Sequence, residues 1–527
     1  AGALLLSAVV ITRFGRDDDL LSPLRERFLY AVPWGTAIVV AIVLIVYYLV
    51  QGGGQDGGPI VAGFRSWSFW YPQGMVFSAF AHASQSHLTG NLFGTLAFAP
   101  LVEYAWGHYP TDNDAPRLWP TTPRSRIGLF VLAVVLFGVL SSLFVPGAVI
   151  GFSGVVFGFA GFAVVTMPLA TIVAIVAIRV IRLLWEAITS PVIVAEAQPR
   201  FVSPGWADVA LQGHAFGFIF GVLLAVFLLR RRGQWPRVRN VWLAALLFAV
   251  TRSMFAIYWF AGTDRWILYQ AFGAGTVLVL ASLVALAVIR TDRVLVSTID
   301  LSVRELAVGL LFAAVLAIAL AAIPYTFVSV DPGGDIENGL EVQDYTVGYV
   351  ENVDDQYVSA IDVPLVRDSL SVEVSGVVVA SDDRNVWGVP VSSNQLAFQG
   401  RATIPVGDAS WRETVVVNRT TWRFIDGNAT YKIFGRSGDR PRKRLHAADP
   451  ALSHVRLNDS RVAIRPAEEF YDIVIARGGN VVGARQIPPA GENATVGGIT
   501  FQRENSTLIA RHNGARIKLA KYELRRL

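Results

Sequence analysis

The chain has 527 residues, 53% hydrophobic and 16% charged, with a net charge of +5 and a mean hydropathy of +0.47. Soluble domains carry about a quarter charged residues, so much of this chain is built for lipid rather than water. The absence of cysteine excludes disulfides, thiol nucleophiles and thiolate metal sites, and the arginines flank apolar runs as orienting residues do, not as a nucleic-acid surface.

Ala1–Ile11 is apolar but too short to cross a bilayer. It reads as the end of a truncated helix, an interfacial segment or a signal-like remnant, and residues 1–27 form an N-terminal segment on the cytoplasmic side. Apolar stretches of spanning length follow at 28–50, 85–106, 127–146, 152–168, 169–190, 207–229, 239–261, 267–289 and 303–328. About 20 residues of helix cross the hydrocarbon, and a helix is the open element that satisfies its own backbone there. Met167-Pro168 predicts a tight return between the fourth and fifth spans.

Arginine sets the orientation. Arg13, Arg16, Arg25 and Arg27 precede the first span; Arg117, Arg124 and Arg126 precede the third; Arg230, Arg231, Arg232, Arg237 and Arg239 follow the sixth; Arg290 and Arg293 follow the eighth. Every second connection is basic, as an in–out path demands. Nine spans then leave the C-terminal part outside the cell membrane.

From about Asp331 the composition changes. Val- and Thr-rich runs such as Ser371–Val379 and Glu413–Val417 alternate with Gly, Asp, Asn and Pro. Short strands bounded by turn residues predict an all-β, sandwich-like domain over 331–527. All the Asn-x-Ser/Thr triplets lie here, at Asn418, Asn428, Asn458, Asn493 and Asn505. As glycosylation candidates they support an extracytoplasmic face independently of the arginines.

The chemistry concentrates in the membrane region. Gly151-Phe152-Ser153-Gly154 opens the fourth span, with Phe157 four residues after the serine. A serine hydroxyl needs a base to take its proton and donors to hold the oxyanion. His214 is expected about eight residues into the sixth span, ~12 Å deep at 1.5 Å per residue, and both spans start at the outer face. Gly154/Gly158 and Gly217/Gly221 are small-xxx-small pairs that let two helices pack closely. At the start of the second span, His87 and Asn91 share a helical face and supply side-chain donors for an oxyanion, completed by the N–H of Ser153. Phe157 is placed to stack on His214.

Each residue also has a plainer reading. A lone serine in a membrane helix is most often a back-bonded packing residue, and a lone histidine a relay or an interhelical bond. His82 reads first as a structural residue holding the loop before the second span, and Glu103 as an anchor at its inner end. His108, His446, His454 and His512 read as surface or core histidines, and Arg252 as pairing with carbonyls or another span. The conjunction of serine, histidine and donors on one side of the membrane carries the assignment.

The order His-xxxx-His-xxx-Asn, Gly-x-Ser-Gly-xx-aromatic, His-xx-Gly-xxx-Gly resembles the rhomboid family of intramembrane serine proteases. The resemblance covers about 28–230, a six-helix core, and leaves three additional helices (231–330) and the β domain outside it. It implies a Ser153–His214 dyad without an aspartate, acting through an acyl-enzyme on substrate transmembrane segments that enter laterally. His87 and Asn91 would support the oxyanion, Gly217 the helix contact, and Phe157 the stacking; Gly151, Gly154 and His82 are supporting residues. Arg65–Gln85 would be the family's membrane-embedded first loop, and Ala187–Trp206 its mobile gate. No cofactor or metal is implied; partners are membrane-protein substrates, the bilayer and a cell-surface partner of the β domain. The arginine-rich, lysine-poor, cysteine-free composition points to an archaeal source, with haloarchaea as the candidate.

Other intramembrane protease classes fail on the residues. No His-Glu-xx-His is present for zinc, the only Tyr-Asp is Tyr471-Asp472 in the β region, and Gly-x-Gly-Asp is absent. The alternative is a catalytically silent membrane receptor or chaperone that binds client helices. A transporter lacks an inverted repeat or an array of intramembrane carboxylates to support it.

Overall fold

The computed structural model describes residues 22–109, 120–193, 199–207, 209–290, 294–296, 301–327, 330–331, 336–357, 372–457, 459–512 and 514–523. Arg13, Arg16, Arg117, Arg293, Ser371 and Asn458, all used above, lie outside the described residues.

The helices are α1 (Ser22–Arg27), α2 (Trp34–Ile45, continued by a wider turn to Val50), α3 (Pro72–Phe77), α4 (Gln85–Trp106), α5 (Pro123–Leu143), α6 (Ser153–Thr166), α7 (Pro168–Thr189), α8 (Leu211–Arg232), α9 (Val238–Thr251), α10 (Gln270–Leu286), α11 (Val303–Thr326) and α12 (Ser393–Gln399). Each stretch expected to span contains one helix. α5, α7, α8 and α11 are individually long and apolar enough to cross a membrane, so the chain is a multi-pass membrane protein.

Three expectations shift. The first span begins at Trp34, because Phe28–Val32 turns through Tyr30 and Ala31 at positive φ. The span expected over 239–261 stops at Thr251. Ser253 turns at φ 55°, and the aromatic run after it forms strand β1 (Tyr258–Phe260), paired with β2 (Trp266–Leu268). The sixth helix starts at Leu211, so His214 sits in its first turn and not two turns inside.

α2 starts without a side-chain cap of its own. The buried Glu103 carboxylate supplies one from α4, accepting from Gly35 N at 2.6 Å, Thr36 N at 2.8 Å and Thr36 Oγ1 at 2.7 Å. A carboxylate there also complements the helix dipole. His108 Nε2 lies 2.7 Å from the same carboxylate, and its Nδ1 accepts from Leu29 N at 2.9 Å. Arg126, fully buried at this end, donates to Trp106 O and Gly107 O, the last carbonyls of α4. Glu103 is thus the anchor its sequence position suggested. Glu103→Ala would strand several buried donors and is expected to cost about 3–5 kcal/mol, read by thermal unfolding in detergent. A loss below about 1 kcal/mol, the scale of one ordinary hydrogen bond, would refute that role.

α6 lies at the centre of the bundle, most of its residues buried, and packs against α8 through glycine. A β-carbon on Gly217 would overlap Gly154 O, one on Gly221 would overlap Gly158 O, and one on Gly161 would overlap Phe218 O. Backbone-to-backbone packing of this kind is what small residues permit between membrane helices.

The remaining strands are β3 (Val294–Val296), β4 (Leu301–Ser302), β5 (Leu340–Val342), β6 (Tyr345–Asp354), β7 (Glu373–Ser381), β8 (Val386–Ser392), β9 (Arg401–Gly407), β10 (Arg412–Phe424), β11 (Ala429–Ser437), β12 (Lys443–Ala447), β13 (Ala451–Leu457), β14 (Ser460–Pro466), β15 (Tyr471–Arg477), β16 (Asn480–Gln486), β17 (Asn493–Val496), β18 (Ile499–Glu504), β19 (Thr507–His512) and β20 (Ala515–Glu523). The C-terminal part is antiparallel, with sheets β5-β6-β7-β8, β12-β11-β10-β20-β19-β18-β17 with β9 on β10, and β13-β14-β15-β16. It holds two cores. One surrounds Val377, Val406, Val415 and Ile433; the other surrounds Trp422, Ile473, Phe501 and Leu508. The long β10 belongs to both, its outward residues alternating with buried ones.

This β unit sits on the end of the bundle that carries Ser153. Arg412 donates to Asp56 O at 2.8 Å and Gly58 O at 2.7 Å in the loop after α2. Ser375 N donates to Thr263 Oγ1 at 2.8 Å, and Ser392 Oγ to Asp264 Oδ2 at 2.7 Å, both in the β1–β2 turn. Arg384 bonds Tyr71 Oη at 2.8 Å and Asp408 at 2.7 Å, and also pairs with Asp344. Burial alone would raise the Asp408 carboxyl. Hydrogen bonds from Ser410 and from Arg384 outweigh that and hold it down at about 2. A depressed carboxyl stabilises above its unfolded value near pH 4 and loses that contribution as pH falls toward 2, so this clamp is intact at neutral pH.

Candidate active site

α4 opens with Ser84 as N-cap, its hydroxyl accepting from His87 N at 3.2 Å. That fixes the first turn, from which His87 and Asn91 project one turn apart. Asn91 is buried and its Nδ2 lies 3.0 Å from His82 Nε2. His82 is itself fully buried, with its ring 5.1 Å from that of His87. Its backbone N donates to Gln51 Oε1 at 2.7 Å, and Gln51 Nε2 donates to His82 O at 3.1 Å. His82 therefore orients Asn91, and Gln51 holds His82. The bond occupies one amide hydrogen of Asn91 and leaves the other for a ligand.

The α5–α6 loop passes directly beneath these donors. Gly151 has φ 124° and donates to Ser78 O at 2.8 Å. A β-carbon at Gly151 would lie 2.7 Å from His87 Nε2 and 3.6 Å from Asn91 Nδ2. Only glycine combines that backbone with that proximity. Two residues later Ser153 is the first residue of α6, at the helix end where N–H groups have no intrahelical acceptor.

His214 enters from the first turn of α8. Its ring stacks on Phe157 with centroids 3.9 Å apart and 12° between planes. Nδ1 is buried with no hydrogen-bond partner among the described residues, so ring packing orients the imidazole where a triad would use a carboxylate. Phe157 is braced edge-on by Phe248 of α9, with centroids at 5.1 Å. Ser153 and His214 line one cavity of about 30 Å3 together with Ser78, Ser141, Ser142 and Gly151. That is roughly the volume of one water. Among the described hydrogen bonds none joins Ser153 to His214; in unliganded sites such bonds are commonly long and tighten with substrate.

The structure thus gathers Ser153, His214, Phe157, Gly151, Gly154, Gly217, His87, Asn91 and His82 around one point. The sequence reading missed Gln51, Ser78, Ser142 and Phe248. A polar residue in an apolar run, as Gln51 is, was the available signal for the first; the others have none in sequence. Of the sequons, Asn493 and Asn505 are exposed. Asn418 is half-buried in β10, and Asn428 Nδ2 is engaged by Leu452 O at 2.8 Å.

Neither a curated protein nor a solved structure matches the chain. Residues 67–231, just under a third of the chain, match the family model of the Rhomboid domain. That segment runs from the loop after α2 to the end of α8 and holds the serine, the histidine and both side-chain donors. The chain carries a domain of the rhomboid family, set in a multi-pass membrane protein with an all-β C-terminal part.

Proposed function

We propose that the protein is an intramembrane serine endopeptidase that cleaves transmembrane segments of membrane proteins. One observation carries the reading: the His214 ring, stacked on Phe157, and Ser153 line the same small polar cavity, with His87 and Asn91 packed against the glycine just before the serine. His214 Nε2 takes the Ser153 proton as Oγ attacks the scissile carbonyl. The oxyanion accepts hydrogen bonds from Ser153 N–H, Asn91 Nδ2 and His87. His214 then returns the proton to the leaving amine, and a water in the cavity hydrolyses the acyl-enzyme with His214 again as base.

In this reading residues 28–230 are the protease core, residues 231–330 brace it from behind through Phe248, and residues 331–527 lie on the extracytoplasmic side. The arginine distribution and the sequons support that side, with exposed Asn493 and Asn505 the best glycan acceptors. Clients enter laterally from the bilayer.

The test is labelling of the purified full chain by a fluorophosphonate, with Ser153→Ala as the blank. Labelling of wild type alone is expected. An unlabelled wild type, in a detergent where a proven serine protease of this family labels, would favour the silent client-binding receptor. Asn91→Ala should lower kcat by about 10²–10³-fold, the usual cost of one oxyanion donor, with KM little changed. A parallel rise in KM with intact kcat would make Asn91 a binding residue instead.

A further inference from the structure

Next to the catalytic cavity lies a second, open-sided one of about 1160 Å3, lined by both the bundle and the β unit. We propose that this chamber binds the extracytoplasmic flank of the client polypeptide, as an extended apolar segment continuous with the bond cut at Ser153. The inference rests on the protease reading for its occupant.

Four observations support it. The chamber exceeds the roughly 300–1,000 Å3 of small-molecule sites. It adjoins the catalytic cavity, since both draw on the same two stretches of chain. Pro146–Ala148 and Gln212 line the chamber, while Val145, Val149, Gly213 and His214 line the small cavity. A polypeptide seated at Ser153 therefore has its outer continuation at the chamber wall.

The lining is aromatic and apolar, including Trp67, Tyr258 and Tyr357, and only Arg65 and Asp355 among the lining residues are charged. Finally, two strand edges face it. β8 is the last strand of its sheet, and β9 pairs with β10 alone among the described strands. Residues of both line the chamber, Val389 from β8 and Thr403 from β9. Such edges take up an extended peptide by main-chain pairing, with pockets for alternate side chains. Pro390 and Pro405 interrupt them, which guards against pairing with a long regular strand and leaves room for a short one.

The chain has no cysteine, so an introduced one is unique. The probe is a single-span reporter with an Ala/Gly-rich outer helix half and a short Leu/Val/Phe outer flank bearing one cysteine. It is reconstituted in proteoliposomes with the full chain carrying Ser153→Ala and either Thr403→Cys on β9 or Val389→Cys on β8. Mild oxidation is expected to give a disulfide adduct at both positions. Val481→Cys, 67% exposed on β16, should give none. Replacing the flank with an aspartate-rich one should cut the adduct about tenfold, since the chamber would desolvate those charges.

Equal adduct at Val481→Cys, or no adduct at Thr403→Cys and Val389→Cys, overturns the chamber assignment. Cleavage of the reporter by wild type alongside that failure leaves the protease reading standing. Conversely, the expected adducts with a wild type that neither cleaves nor labels would sustain the chamber and remove the protease.

Discussion

His214→Ala is expected to lower kcat for a single-span reporter by roughly 10⁴-fold or more, with KM little changed. The size follows from the absence of any substitute base. His214 Nδ1 has no hydrogen-bond partner among the described residues, and the lining of the small cavity holds no other titratable side chain. The His87 imidazole sits across Gly151 with the donors, on the side where the carbonyl oxygen would lie. The glycine contacts between α6 and α8 remain in the variant, while the Phe157–His214 stack that crosses them is lost. The variant is therefore expected to stay folded with a loss of about 1–3 kcal/mol, too small to account for the lost rate, which separates lost chemistry from lost structure. Activity within about tenfold of wild type would mean the serine is activated elsewhere or is not the nucleophile.

Gly217→Val should be among the most disruptive single changes in the bundle, costing about 2–3 kcal/mol or more and abolishing fluorophosphonate labelling together with stability. Its β-carbon would overlap Gly154 O, and backbone cannot rotate aside as a side chain can. The helices must separate, and Ser153 and His214 sit on the two that part. Gly128→Ala on α5 is the control, because a β-carbon there meets nothing within 4 Å; it should change stability by no more than about 1 kcal/mol, and in the favourable direction. Thermal unfolding in detergent and labelling, measured on both, decide it. A Gly217→Val protein that unfolds with wild type would show that the two helices are not locked.

What could be read from sequence was what depends on local pattern. Apolar length located the helices, and Gly217 and Gly221 the close contact, because periodicity and residue size are local properties. Ser153, His214, His87 and Asn91 were legible because intramembrane polar groups are rare enough to stand out. The overshoot at 252–261 has the opposite cause. Its aromatic residues are as apolar as a span, and hydropathy cannot distinguish a helix from the hairpin that β1 and β2 form. Phe248, Gln51 and the Arg384–Tyr71 contact are joined to their partners only by the tertiary fold. The roof over the active site is the extreme case. It is made by segments hundreds of residues apart, such as Trp67 and Tyr357, whose rings lie 4.7 Å apart.

β10 gives the C-terminal part a mechanical character. Its first half pairs with β9 over Arg412–Asn418, and its last residues pair with β20 over Thr421–Phe424. One unbroken strand is thus the spine of two cores, and the chain's last strand closes on it. A pull or a protease nick that frees β20 exposes the end of the same strand whose beginning, through Arg412, grips the loop beside the membrane. One strand therefore ties the β20 end of its sheet to the loop at the Ser153 end of the bundle.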